Sequence, residues 1–443
     1  MKKNLTKLFW LCLMLAFYQD LYSQKQPNFN KDIAPIIFKN CTPCHREGEN
    51  APFPLTNYKE VHSKAKIIGQ VVRKRYMPPW KADPAYRHFE NEMYLKNEEI
   101  DLISKWVAGN APEGKGTLME YSMMNIEEER KPDVVISMPV KYPIQGNNKE
   151  SFSWMKIPYE IPSTHKEIEI EKIEYIPGNK KLLHHVNYKF IRVPSGLDIF
   201  EGPYFKQAED TLEEGFSIYN YFNIFPYQTY YTGGWLPGMN AQEYGEDIGI
   251  VIPRKGIVFI DKNHYNASPI ADTDSSHLNI YFKKKPLERK AVPFSMGSSK
   301  VNSTMSSPLV IPADSIKTFT VSCVLDMDVS VLYIAPHMHL LGKQFIAYAK
   351  VPSGDSIPLI KIDNWDFNWQ FMYKLSPYLK LPKGTVIWVK ASYDNTVNNI
   401  RNPFHPPRTS YSSNGMKTTE EMLELGLLIV PYKEGDELLI HKN

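Results

Sequence analysis

Five consecutive residues, Cys41-Thr42-Pro43-Cys44-His45, constrain this chain more than any other feature. Two thiols at this spacing can add to the two vinyl groups of one haem, and the imidazole that follows reaches the iron from the same turn. C-x-x-C-H therefore reads as c-type haem attachment. A lone disulfide, half of a zinc site and a thioredoxin-like dithiol are the competing uses. Zinc needs two more ligands and no second C-x-x-C occurs, while a redox dithiol belongs beside a βαβ pattern. The surrounding residues 24–117 instead carry helical periodicity. Ile33, Ile36, Ile37 and Phe38 form one apolar face, Val61, Ala65, Ile68, Val71 and Val72 a second, and Ile100, Ile103, Trp106 and Val107 a third. The third helix should open at Asn97 with Glu98 and Glu99 in its first turn, and stop at Gly109 and Pro112.

This segment resembles the monohaem cytochrome c domains found fused to other exported modules. A sixth iron ligand should follow in the same domain. Met77, held by Pro78 and Pro79, is the first choice and Met93 the competitor.

The flanking sequence fits an oxidising compartment. Residues 1–23 read as an export signal: Lys2, Lys3 and Lys7 precede an apolar run over residues 8–18, and Leu21-Tyr22-Ser23 offers a cleavage site. The run is too short to span a bilayer, and no later stretch is long and apolar enough. Cys12 goes with the signal, leaving Cys41, Cys44 and Cys323, an odd set that does not suggest a disulfide framework. The mature protein is expected to be periplasmic or secreted, with no membrane span. A net charge of +3 over 443 residues gives no electrostatic reason to expect a nucleic-acid partner.

Residues 118–150 read as a charged, proline-punctuated linker. From there the pattern is β. Ile168 and Ile170 alternate with charged residues, and Ile173 and Tyr175 resume the alternation after a one-residue slip. Phe319, Val321 and Cys323 alternate as well, and residues 385–389 follow the turn Leu381-Pro382-Lys383-Gly384. This is too long for one sandwich. The expected fold is multidomain, a small all-α cytochrome c domain followed by two all-β antiparallel, jelly-roll-like sandwiches over 151–288 and 289–443.

Three histidine groups stand out in the β region. His184 and His185 are adjacent. On a regular strand they point to opposite faces, so they share a metal only at a bulge or through different ring nitrogens. His264 ends a strand-like run. His337 and His339 fall on one face by the period of two.

Residues 150–432 resemble the copper type II, ascorbate-dependent monooxygenases, the family of the peptidylglycine α-hydroxylating and dopamine β-monooxygenases. The resemblance is carried by Pro177-Gly178 leading to His184-His185, by Gly234-Trp235-Leu236-Pro237-Gly238, and by His264-Tyr265. It continues through His337-Met338-His339-Leu340-Leu341-Gly342-Lys343 and Thr418-Thr419-Glu420-Glu421-Met422. It implies two mononuclear copper sites: His184, His185 and His264 for electron transfer, and His337, His339 and Met422 for oxygen binding. Two imidazoles with one thioether favour Cu(I) and leave a position open.

The implied reaction is hydroxylation of a C–H bond of a small organic substrate by O2. A haem on the same chain, fed by an external electron donor, can replace ascorbate. Where peptidylglycine enzymes hold a substrate carboxylate, this chain has Ala335, Glu424 and Gly426, so that substrate is not expected. A non-catalytic electron-transfer or copper-binding protein is the alternative reading, and an inert structural or carbohydrate-binding double sandwich a further one.

Overall fold

The computed structural model describes residues 26–115, 130–194, 196–208, 216–239, 241–298, 300–412 and 419–438. The export signal with Cys12, and Thr418 of the late motif, lie outside them. Strands dominate and helices are few. The described residues fall into two units, 26–79 with 93–115, and 80–92 with 130–438.

In the first unit the apolar faces build four short helical segments, a π-helical turn Phe29–Ile33 and the helices Ala34–Asn40, Tyr58–Arg73 and Asn97–Ala108. Each buries the face its spacing marks: Ile33, Ile37 and Phe38, then Val61, Ile68 and Val72, then Ile103 and Trp106 meet in one core around Phe29. Asn57 caps the middle helix by accepting from the Glu60 N–H at 3.1 Å. The Glu99 carboxylate accepts from the Lys96 N–H ahead of the last helix, at 2.7 Å. Gly109 ends that helix. No strand occurs among this unit's described residues.

The second unit is built from sheets that are antiparallel except where Arg289–Lys290 pairs parallel to Ile248–Pro253. The first pair comprises a five-stranded sheet, in spatial order Phe205–Gln207, Ser151–Glu160, Lys255–Tyr265, Leu183–Arg192, Gln228–Trp235, and a six-stranded sheet containing Glu167–Ile176 and Ile248–Pro253. Their inner faces share one core, with Tyr175 of one stacked on Tyr188 of the other. The slip read between Ile170 and Ile173 is a β-bulge: Tyr281 pairs with Lys172 and Phe282 with Ile170, so Glu171 is the extra residue. The later sheets are Val292–Gly297, Glu424–Pro431, Val329–His337, Tyr373–Leu381, and Thr304–Met305, Ser315–Val324, Val386–Asn395, Gly342–Lys350, Ser356–Ile362. The chain changes from one set to the other between Lys290, which pairs with Gly249, and Val292, which pairs with Ile429. The two sets are not insulated from each other, because Leu332, Tyr333, Tyr378 and Leu428 join the core of the first.

Two expectations change. Residues 134–144 do not behave as linker. Val134–Ser137 pairs with His277–Phe282 and Tyr142–Ile144 with Asp272–Asp274, burying Ile136, Tyr142 and Ile144. Short apolar runs between prolines are enough to form strands when a partner strand is waiting. Second, Trp80–Glu92 leaves the helical unit and straps across the β unit. Its backbone N–H groups at Asp83 and Glu90 donate to the carbonyls of Lys361 and Lys374, at 2.8 and 2.9 Å. Ion pairs Asp83–Lys361 and Glu90–Lys374 hold it there.

Candidate metal centres

Cys41, Cys44 and His45 lie in one turn at the end of the Ala34–Asn40 helix. Cys44 N–H and His45 N–H both donate to the Cys41 carbonyl, at 3.1 and 2.9 Å. His45 Nδ1 lies 2.9 Å from the Phe53 carbonyl. A carbonyl only accepts, so Nδ1 carries the proton and Nε2 the lone pair, the tautomer an axial ligand needs. Burial pushes the Cys41 thiol up to about 12 and, with Glu49, the Cys44 thiol to about 11. Redox dithiols are shifted the other way. Met77 and Met93 are both half-buried in this unit.

The first histidine centre depends on a break in strand register. His264 sits opposite His185, but Tyr265 sits opposite Leu183, which leaves His184 as the extra residue of a β-bulge. A bulge lets two consecutive side chains turn to one side. Of the two routes the sequence left open, the structure therefore takes the bulge, with all three rings presenting Nδ1. His184 Nδ1 and His264 Nδ1 lie 3.2 and 3.4 Å from His185 Nδ1. Two imidazoles bound tetrahedrally at about 2.0 Å from one ion would have their nitrogens about 3.3 Å apart. The three residues thus form a group that could hold a metal ion. Burial and the His264 ring beside it push His184 down to about 4, favouring the neutral ring that metals require.

Glu150, the last residue of the expected linker, places its Oε2 3.3 Å from His264 Nε2. The Phe152 ring stacks on His264 with centroids 4.3 Å apart. Together they aim His264 Nδ1 inward, the arrangement of a carboxylate behind a metal-binding imidazole.

At the second centre the expectation of two histidines on one strand needs correction. The strand Val329–His337 ends at His337, and His339 lies in the turn that follows. Glu421 causes the departure. Its buried carboxylate accepts from the His339 N–H at 3.0 Å and from the Leu341 N–H at 2.7 Å, donors that a continuing strand would have offered to a neighbour. Burial pushes Glu421 up to about 8 against those bonds. The turn closes with Gly342 N–H on the His339 carbonyl, and a Cβ at Gly342 would meet Trp365 Cδ1 at 2.5 Å.

The His337 and His339 rings still come together, with centroids 4.9 Å apart. His339 Nδ1 donates to the Glu420 carbonyl at 2.6 Å, and His337 Nδ1 is held by Gln370 Oε1. Both rings therefore present Nε2 as the lone-pair nitrogen. Met422 follows Glu421 directly, and its carbonyl accepts from Tyr393 OH at 2.8 Å. Glu424, opposite His337 in the sheet, is engaged by Ser295 and by Lys300 at 3.2 Å. Burial would raise its carboxyl, but Lys300 and Ser295 hold it below the usual range. Ala335 and Gly426 face each other across the same two strands.

One loop joins the centres. The Phe367 ring stands 6.2 Å from His185 and 5.7 Å from His339, centroid to centroid. Trp369 is 6.1 Å from His184, and Gln370 holds His337. The two centres thus meet across a shared aromatic wall. Glu150, Phe367, Trp369, Gln370 and Glu421 were not selected from sequence. Only Glu421 had a signal there, its place beside Met422.

No protein-family model and no curated relative matches the chain. Among solved structures, the PBSX exported protein XepA aligns at 11% identity over 59% of this chain and 86% of that one, with a TM-score of 0.17. The VP2 subviral particle of infectious bursal disease virus aligns at 8% identity over 71% and 75%, with a TM-score of 0.18. Similarity at that level carries no argument about fold or chemistry. Among the described residues no helix is long and apolar enough to cross a membrane.

Proposed function

We propose that this chain is an exported copper-dependent monooxygenase fed by its own c-type haem, a cytochrome c domain followed by two jelly-roll-like sandwiches. The observation that carries the reading is the convergence of His184 Nδ1 and His264 Nδ1 on His185 Nδ1, at 3.2 and 3.4 Å. It fits copper by donor chemistry, since three imidazoles serve both oxidation states. His337, His339 and Met422 would hold the second copper, a softer set that favours Cu(I). Cys41 and Cys44 would attach the haem, His45 would be one axial ligand and Met77 the other, with Met93 as the competing sulfur.

Bound copper supplies O2 activation for insertion of one oxygen atom into a substrate C–H bond, with two electrons delivered in total. The residues around it orient its ligands. Glu150 and Phe152 fix His264, Gln370 fixes His337, and Glu420 and Glu421 fix His339. Phe367 packs near both a ring of the first centre and a ring of the second. Ala335 and Gly426 offer no carboxylate clamp, so the substrate class differs from glycine-extended peptides. Lys300 and Glu424 present a charged pair beside His337 that a polar substrate group would meet.

Metal and haem content of the full exported chain tests the reading. One haem and two coppers are expected, with His184→Ala and His337→Ala each losing one copper. A chain with haem and no copper overturns the monooxygenase. Copper retained without substrate-coupled oxygen uptake leaves an electron carrier.

A further inference from the structure

The strap that carries Trp80 onto the β unit does more than cover a sheet edge. Trp80 is buried, and its ring lies 5.9 Å from Phe371 and 4.9 Å from Tyr373. Phe371 stacks on Trp369 with centroids 6.1 Å apart and planes at 14°. Trp369 in turn lies 6.1 Å from the His184 ring. Four consecutive rings therefore run from the strap to the first histidine centre without an aliphatic interruption. Phe371 also lies 6.4 Å from Tyr373, the first residue of the strand that follows. The strap is pinned at the same place by Lys81 on Asp366, 3.6 Å away, and Asp366 is held by Arg401 at 2.8 Å. In the chain, Trp80 follows the candidate haem ligand Met77 by only three residues.

We infer that Trp80, Phe371 and Trp369 form the electron entry path to the His184–His185–His264 centre, an assignment that rests on the haem-and-copper reading above. Packing alone asks only for apolar volume, which leucine supplies as well. A run of π systems ending on a metal-binding imidazole also gives strong electronic coupling, because π orbitals lie closer in energy to the transferring electron than σ bonds do. The step is a one-electron transfer. Ferrous haem becomes ferric, Cu(II) at the three histidines becomes Cu(I), no bond forms or breaks, and an external one-electron donor restores the haem. The candidate haem ligand Met77 and the first ring of the path, Trp80, lie three residues apart on one stretch of chain.

The test uses the full chain carrying haem and Cu(II). The haem is flash-reduced by a photosensitiser, its re-oxidation is followed by absorbance, and loss of the Cu(II) signal is followed by electron paramagnetic resonance. Trp369→Leu, Trp80→Leu and the conservative Trp369→Phe are compared after copper content is measured. The expected result is loss of the fast re-oxidation phase in both leucine variants at full copper content, with the phase retained in Trp369→Phe. If Trp369→Leu loses copper, Trp80→Leu decides, since the ring neighbours of Trp80 are Phe89, Phe371 and Tyr373. Equal rates in loaded wild type and Trp80→Leu overturn the path and leave the enzyme reading intact. A wild-type chain that takes up no haem or no copper overturns both.

Discussion

Replacing Glu421 with alanine should dismantle the second centre from behind. The carboxylate is 1% exposed and accepts two backbone N–H bonds, from His339 and Leu341. Truncation strands both donors in a place water does not reach. Each stranded buried donor costs about 1–3 kcal/mol, so the loss should be about 2–6 kcal/mol. Glu421→Gln keeps one acceptor and turns a second N–H group toward its partner, so it should cost about 1–3 kcal/mol. Because the turn is a local element, the assay is amide hydrogen exchange over residues 338–342 in the metal-free chain. Even the lower bound of about 2 kcal/mol makes these amides exchange more than about tenfold faster in the alanine variant. Copper titration is the second readout. The alanine variant should bind one copper per chain, at the His184 centre, because His339 is no longer held by the backbone of its own turn. Unchanged exchange at His339 and Leu341 would falsify the claim that this carboxylate builds the turn.

Three further outcomes follow from other residues. Glu150→Gln should weaken copper at the first centre toward the lower end of about 10–100-fold, since the carboxylate behind His264 is partly exposed, and isothermal titration measures it. Asp436 accepts from Arg289 at 2.6 and 2.9 Å and from the Lys433 N–H at 3.1 Å. Burial alone would raise its pKa, but these bonds hold it below the usual carboxylate value. Its stabilisation is therefore complete above the unfolded pKa of about 3.9 and lost as pH falls through the lower folded value. Asp436→Asn should destabilise at pH 7 and flatten the acid limb of the stability curve, as seen in urea unfolding between pH 2 and pH 7, a window taken at about those bounds. Replacing Cys41 and Cys44 together by serine should leave haem extractable by acidified solvent, whereas the unaltered chain retains it. A pigment equally extractable from both would refute thioether attachment.

The helices over 58–73 and 97–108 were legible because apolar positions three and four apart can be buried together in only one way. The alternation at Phe319, Val321 and Cys323 was legible for the same reason with a period of two. The slip between Ile170 and Ile173 was visible as a phase change, and its cause, an extra Glu171, is a matter of strand pairing. Residues 134–144 looked like a linker because they follow the charge run 127–131 and are interrupted by Pro139 and Pro143. Their strands form only because neighbouring sheets supply partners.

The histidines themselves stand out in the sequence, because His184 and His185 are adjacent and His337 and His339 alternate. Their relation to one another does not. Whether His184 and His185 face one ion is decided by the register of the strand opposite, set more than seventy residues later at His264. Glu421 reaches His339 from 82 positions away. The loop holding Phe367, Trp369 and Gln370 has no periodicity to betray it. Sequence determined the chemical inventory and the local periodicities, because those depend on residue type and near neighbours. Tertiary structure alone decided which nitrogen each imidazole presents, which ring separates the two centres, and where the Trp80 strap lies. These are set by contacts between residues that the chain brings together only when it folds.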